Sequence, residues 1–192
     1  TLGDLDTDGD PDLVAGYPSD AVYFENRLRE DGTWGPSTLD TDDDSPNELQ
    51  VADLNGDGSP DLLMRLDDRI AWMQNQADGF GAPTIAAEIS YDPNSLTAGD
   101  VTGNGAPDIV FGRTHDDTAH LTWLRNRGDG TFGAPISAGT GSKRQIVGLE
   151  DLNQDGALDI VQGQFALYNP KISWWENTNR PPDPVPELNS TT

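Results

Sequence analysis

A nine-residue stretch recurs four times in this chain, and it limits the fold more than any other feature. The copies are Asp4-Leu5-Asp6-Thr7-Asp8-Gly9-Asp10-Pro11-Asp12, Asp53-Leu54-Asn55-Gly56-Asp57-Gly58-Ser59-Pro60-Asp61, Asp100-Val101-Thr102-Gly103-Asn104-Gly105-Ala106-Pro107-Asp108 and Asp151-Leu152-Asn153-Gln154-Asp155-Gly156-Ala157-Leu158-Asp159. Their first aspartates lie 49, 47 and 51 residues apart. A period near 50 marks a repeat architecture, in which each copy is one supersecondary unit. Oxygen-bearing side chains stand at the first, third, fifth and ninth places, and a glycine at the sixth. A hard cation such as Ca²⁺ takes about six to eight oxygens, and the glycine lets a tight loop bend in its middle. The spacing therefore points to four cation loops. The candidate ligands are Asp4, Asp6, Asp8 and Asp12; Asp53, Asn55, Asp57 and Asp61; Asp100, Thr102, Asn104 and Asp108; and Asp151, Asn153, Asp155 and Asp159. Asp10, Ser59, Ala106 and Ala157, at the seventh place, complete the four sets. Up to four Ca²⁺ are expected, one per repeat.

Charge supports this reading. The formal net charge is −23, which makes nucleic acid and anionic membrane poor partners. The ligand places hold four carboxylates in the first loop, three in the second, two in the third and three in the fourth. Such clusters repel one another without a cation. Four Ca²⁺ would add eight positive charges and bring −23 to −15. No cysteine is present, so no disulfide contributes and thiols say nothing of the redox compartment. No apolar run approaches the roughly 20 residues that span a bilayer, so membrane insertion is not expected. Carboxylate-rich loops suit calcium at extracellular levels, so a secreted or cell-surface location is expected. The chain opens on Thr1 without Met and reads as a mature or excised product.

Around each loop the apolar residues alternate with a period of two. Leu2, Val51, Ala98 and Leu149 stand two places before the first aspartate, and Leu13-Val14-Ala15, Leu62-Leu63-Met64, Ile109-Val110-Phe111 and Ile160-Val161-Gln162 leave the loops. These runs are short and rich in β-branched residues, so they read as strands. A third strand ends each time in asparagine: Val22 to Asn26, Ile70 to Asn75, Leu121 to Asn126 and Ile172 to Asn177. Turns of hairpin type follow at Asp31-Gly32, Asp78-Gly79 and Asp129-Gly130, before a fourth strand such as Thr84 to Ala87. Four antiparallel strands per unit of about 50 residues describe an all-β fold of about four β-propeller blades. The repeats divide the chain at about 1–46, 47–93, 94–142 and 143–179, followed by a Pro-rich extended tail over 180–192. The first repeat has a minimal inner strand, Thr1-Leu2-Gly3, and the fourth is expected to lack its outer one.

These motifs resemble the FG-GAP/VCBS repeats of integrin-α-type β-propellers. The resemblance rests on Asp-x-[Asp/Asn]-x-[Asp/Asn]-Gly-x-x-Asp, which the third repeat varies with Thr102 at its third place, and on Phe-Gly-Ala-Pro in the middle two. It covers residues 2–177. It implies blades of four antiparallel strands, Ca²⁺ held between the first two, and binding or adhesion rather than catalysis. About four blades is fewer than such rings usually hold, so the chain is expected to belong to a larger propeller or assembly. The implied partners are other protein subunits or glycans. The alternative is the propeller part of a carbohydrate-active enzyme, such as a calcium-dependent polysaccharide lyase.

Other features invite sharper readings. An EF-hand needs a bidentate glutamate at place twelve, where Ala15, Met64, Phe111 and Gln162 stand instead. The column Tyr23, Trp72, Trp123, Trp174 reads as packing between neighbouring blades in preference to a sugar platform. Arg127-Gly128-Asp129 spells an integrin-recognition tripeptide, yet its Asp-Gly coincides with a repeat turn. His115 and His120 flank two aspartates in a connection longer than those of the first two repeats, and 165–171, with Phe165 and Tyr168, is extended as well. Asn189-Ser190-Thr191 fits a glycosylation pattern. Carboxylates at fixed spacing are explained by metal, so no catalytic residue is assigned and no enzyme is expected.

Ligand charge ranks the loops. The third, with only Asp100 and Asp108 as anions, is expected to release calcium first in a chelator titration, and the first, with Asp4, Asp6, Asp8 and Asp12, last. Equal affinities at all four loops would refute the ranking.

Overall fold

Period-two alternation becomes strand throughout: the chain forms four four-stranded antiparallel sheets, and no helix occurs among the described residues. The computed structural model describes residues 1–42, 44–89, 93–115, 118–142, 145–164, 171–178 and 188–191. The sheets fall into two compact units, Thr1–Ser90 and Tyr91–Thr192.

In the first unit, β1 (Leu2–Gly3), β2 (Asp12–Tyr17), β3 (Asp20–Arg27) and β4 (Thr33–Asp40) pair in sequence order. The second sheet uses β5 (Glu48–Ala52), β6 (Asp61–Arg65) and β7 (Arg69–Met73). A small hairpin of β8 (Asn75–Gln76) and β9 (Gly79–Phe80) intervenes before β10 (Thr84–Glu88) returns beside β7. Asp31-Gly32 and Asp78-Gly79 turn as expected, with Gly32 at φ 77° and Gly79 at φ 113°. The core lies between the two sheets: Val14, Ala21 and Leu39 meet Leu49, Leu62, Met64, Ala71 and Met73, and Tyr23 packs against them. Tyr23 also meets Phe80 edge-on, with ring centroids 6.1 Å apart.

The second unit repeats the plan. Its sheets are β11 (Pro93–Gly99), β12 (Asp108–His115), β13 (Thr118–Leu124) and β14 (Ile136–Ser142), then β15 (Gln145–Glu150), β16 (Asp159–Gln164), β17 (Lys171–Asn177) and β18 (Leu188–Thr191). Val110, Leu121 and Trp123 of one sheet meet Val147, Ile160 and Trp175 of the other. Trp123 and Tyr23 therefore act as packing residues. Trp72 is buried as well, and Trp174 is half-buried.

Two expectations change. The fourth sheet does have an outer strand: Leu188–Thr191 pairs with β17, Asn177 standing opposite Leu188 and Trp174 opposite Thr191. The Pro-rich stretch hid it. Proline cannot donate to a ladder, but the four residues Leu188–Thr191 contain none. The residues around His115 extend a hairpin instead of forming a long loop, with His115 paired to Thr118 and Arg113 to His120. The His115 side chain and all of 165–170, with Phe165 and Tyr168, lie outside the described residues. The side chain of Asn189 does too.

The sheets of each unit approach closely just before the loops. A Cβ on Gly3 would stand 2.9 Å from Val51 Cγ1, and one on Gly99 would stand 2.8 Å from Leu149 Cδ1. Packing this tight makes large-to-small changes expensive. Trp123→Ala, at a position 1% exposed, is expected to lower stability by about 3–5 kcal/mol in urea unfolding. A loss under about 1 kcal/mol would show that Trp123 does not hold the two sheets together.

Candidate metal centres

Each loop joins the first two strands of its sheet, and its shape depends on two left-handed residues. Gly9, Gly58, Gly105 and Gly156 at the sixth place have φ between 85° and 93°. The fourth place is left-handed too, with Thr7 at 62°, Gly56 at 76°, Gly103 at 69° and Gln154 at 61°. Sequence reasoning credited only the sixth place. Gly56 and Gly103 were the available signal for the fourth.

Backbone N–H groups aim the ligand-place oxygens. The first-place carboxylate accepts from the sixth-place N–H in every loop: Gly9 to Asp4 at 3.1 Å, Gly58 to Asp53 at 2.9 Å, Gly105 to Asp100 at 2.8 Å and Gly156 to Asp151 at 3.0 Å. The fifth-place oxygen accepts from the seventh-place N–H: Asp10 to Asp8, Ser59 to Asp57, Ala106 to Asn104 and Ala157 to Asp155, at 2.8–2.9 Å. A backbone carbonyl is all that Ala106 and Ala157 could offer a cation at the seventh place. The side chain of Asp10 turns instead to Arg29, 2.6 Å away.

The first loop gathers its charge most tightly. One carboxylate oxygen each from Asp4, Asp6 and Asp8 lies within 4.8 Å of the others. Burial raises the pKa of Asp6, and the charges of Asp12 and Asp8 add to the rise. In the second and fourth loops the third-place asparagine donates across the loop, Asn55 to Asp57 at 2.8 Å and Asn153 to Asp155 at 2.9 Å. Hydrogen bonding from the Ser59 N–H, reinforced by Asn55, holds the Asp57 pKa below the ordinary value.

The ninth-place aspartates do more than the spacing suggested. Asp12, Asp61, Asp108 and Asp159 are all buried. One oxygen accepts from the N–H of the loop's second residue: Leu5 to Asp12, Leu54 to Asp61, Val101 to Asp108 and Leu152 to Asp159, at 2.9–3.1 Å. The other accepts from the asparagine that ends the third strand: Asn26, Asn75, Asn126 or Asn177, at 2.8–2.9 Å. Burial pushes the Asp61 and Asp108 pKa values up, against the pull of these donors. A carboxylate has about four acceptor sites, so these bonds leave capacity for a cation.

That asparagine column is the functional feature missed in the sequence, although the same residue ended every third strand. Its side-chain amides donate to the carbonyls of Pro11, Pro60, Pro107 and Leu158 at the eighth place, at 2.9–3.2 Å. Within each unit the second asparagine also reaches the preceding loop: Asn75 donates to the Leu5 carbonyl at 2.5 Å, and Asn177 to the Val101 carbonyl at 2.7 Å.

The donor set fits a hard cation. Every loop presents side-chain oxygens at its first, third, fifth and ninth places, and one of these is buried with no hydrogen-bond partner: Asp4 Oδ1 in the first loop. Buried polar atoms without partners are rare in folded proteins. Among the described residues no other acidic or histidine cluster of metal-holding geometry occurs. The Arg127-Gly128-Asp129 segment is tied into its own turn. Arg127 donates to the Phe132 carbonyl at 2.6 Å, and the Gly128 N–H donates to Asn126 Oδ1 at 2.8 Å. In the first unit a cleft of about 880 Å³ lies beside the first loop, lined by Asp6, Tyr23, Glu25, Arg27 and Phe80 among others.

A family model described as FG-GAP-like repeat matches residues 4–64 and 53–111. No curated protein matches the chain. Among solved structures, a chain of the Tc holotoxin pore of Photorhabdus luminescens is similar, with a TM-score of 0.58 over 90% of this chain and 19% identity. This chain corresponds to only 8% of that one, and at such identity the likeness concerns the fold.

Two substitutions test the loop architecture. Asn177→Ala leaves the Val101 and Leu158 carbonyls without their amide donor and is expected to cost about 2–4 kcal/mol in denaturant unfolding. Thr7→Gly relieves a β-branched residue at φ 62° and is expected to raise stability by about 1 kcal/mol. A destabilised Thr7→Gly protein would refute the strain at the fourth place.

Proposed function

Because this chain belongs to the FG-GAP-like repeat family, we propose that its four sheets are the blades of a calcium-stabilised, propeller-type module that works outside the cell by binding other proteins or glycans. The observation that carries this reading is the first loop, where Asp4, Asp6 and Asp8 converge and Asp4 Oδ1 is buried without a partner. Calcium supplies the charge and coordination that such a cluster calls for, and Asp53, Asp100 and Asp151 stand at the same place in the other loops. The module contributes surface, and no catalytic group is assigned to it. The cleft beside the first loop supports a binding role, because it sets Tyr23 and Phe80 next to Glu25 and Arg27. Aromatic faces beside hydrogen-bonding groups suit both glycans and peptides. The similar solved chain belongs to a holotoxin pore, and a place in a larger assembly is proposed here as well.

Calcium that binds only the folded state stabilises it by roughly 2.7 kcal/mol per site at a hundredfold excess over Kd. The midpoint of thermal unfolding is therefore expected to rise by many degrees between chelator and millimolar calcium. An unchanged midpoint removes calcium from the proposal. A glycan array probed with and without chelator separates glycan binding from protein binding. Release of unsaturated products from acidic polysaccharides would replace the binding reading with a lyase.

A further inference from the structure

Two uninterrupted runs of chain line the cleft of the first unit, residues 35–40 and residues 75–83. The first run belongs to β4. Successive residues of a strand point to opposite faces of its sheet. Six lining residues in a row therefore meet the cleft with the edge of the strand and not with one of its faces. Among the described strands β4 has a neighbour on one side only, β3. A strand edge of this kind offers main-chain N–H and C=O groups to a further extended segment. Pro36, which has no N–H to give, is tolerated at such an edge.

The lining is acidic. It holds five carboxylates, those of Asp6, Glu25, Asp40, Asp42 and Asp78, and one guanidinium, that of Arg27. Asp6 belongs to the first cation loop, so its charge is assigned to the metal. Arg27 is committed to Glu25, 2.5 Å away, and this hydrogen bond holds the Glu25 carboxyl below its ordinary pKa. The guanidinium lies over Gly35, where a Cβ would stand 2.8 Å from Arg27 Cζ. Asp40, Asp42 and Asp78 remain. All three are exposed, and among the described residues none of them forms an ion pair. Tyr23 and Phe80, both half-buried, line the same cleft.

We propose that this cleft binds an extended peptide segment rich in lysine or arginine, which lies along the outer edge of β4 with its cations against Asp40, Asp42 and Asp78. Charge complementarity selects the occupant. An acidic polysaccharide is repelled by the three carboxylates, whereas a cationic side chain gains from them and from the faces of Tyr23 and Phe80. A neutral glycan finds fewer donors, because the Asn75 amide already serves the Leu5 and Pro60 carbonyls and the Tyr23 hydroxyl already donates to Asp12 at 3.2 Å. The volume, about 880 Å³, falls within the span of roughly 300–1,000 Å³ usual for ligand clefts. The inference rests on the binding role proposed above and names the chemistry of the partner.

The full chain in millimolar calcium is titrated, by fluorescence anisotropy, into three labelled probes. One is a peptide as long as β4, eight residues, in which lysine alternates with threonine. The second has glutamate in place of lysine, and the third is a neutral hexasaccharide. Only the lysine peptide is expected to bind, and more weakly as salt rises from about 50 to 200 mM. Combining Asp40→Asn, Asp42→Asn and Asp78→Asn is expected to weaken it by about tenfold. Asparagine keeps an acceptor oxygen and tolerates the left-handed backbone of Asp42, at φ 58°. Glu30→Gln, Glu88→Gln and Glu150→Gln together remove as many charges from exposed places outside the cleft and are expected to leave the affinity unchanged. Ser37→Trp, at an exposed place in the lining, fills the cleft without altering its charge and is expected to abolish binding. Unfolding midpoints equal to that of the parent chain show that the variants are folded. Peptide binding that the cleft variants leave intact, or that the control variant lowers equally, overturns the proposal. A hexasaccharide that binds, and is excluded by Ser37→Trp, while the lysine peptide does not bind, overturns this inference and leaves the binding role of the cleft standing. If no probe binds, both fall.

Discussion

A buried aspartate accepting two backbone N–H bonds is the interaction on which each repeat depends. The ninth-place carboxylate ties the start of the loop to the end of the third strand, bringing together segments that are 18 residues apart in the cases of Asp108–Asn126 and Asp159–Asn177. A buried charge is costly unless it is hydrogen-bonded. Here the donors are main-chain groups, which cannot rotate away, so the loop and the third strand hold fixed positions against each other. The cation loop is therefore built into the sheet, and its ligand places inherit the rigidity of the strands.

The same geometry explains why the loops tolerate different residues. Places one, five and nine accept main-chain N–H groups in every copy, and place three does so from the fifth-place N–H in three of them. Place three varies from Asp6 to Asn55, Thr102 and Asn153, and place seven from Asp10 to Ala106. What the fourth place requires is a left-handed backbone, which glycine supplies without strain in two copies, while Thr7 and Gln154 adopt it at a cost. Variation is thus widest at the fourth and seventh places, where main-chain geometry, and not side-chain chemistry, sets the loop.

Much of this was legible in the sequence. Alternation and the Asp-Gly turns placed nearly every strand, because a sheet with a buried face must show a period of two. The oxygen spacing located all four loops. Spacing states which atoms can converge but not which N–H groups they accept, so the double duty of Asp12, Asp61, Asp108 and Asp159 stayed hidden until the strands were in place. The outer strand at Leu188–Thr191 was missed because it follows a run of prolines, and short local patterns carry no information about partners that distant. The direction of stacking was also invisible. A run such as Leu62-Leu63-Met64 is apolar at every position and does not reveal which face it turns to which neighbour.

The asparagine that ends each third strand bears on what may be called a part of this protein. Asn75 finds an acceptor on Leu5, and Asn177 finds one on Val101, each in the repeat before its own. The period of the sequence is therefore shorter than the period of its hydrogen bonding. A segment cut at a repeat boundary would carry away an amide whose acceptor stays behind, and would bare the core face that its predecessor had covered. A cut between the first and second repeats, or between the third and fourth, separates a donor from its acceptor, so excision, shuffling and duplication are expected to keep the two repeats of a unit together.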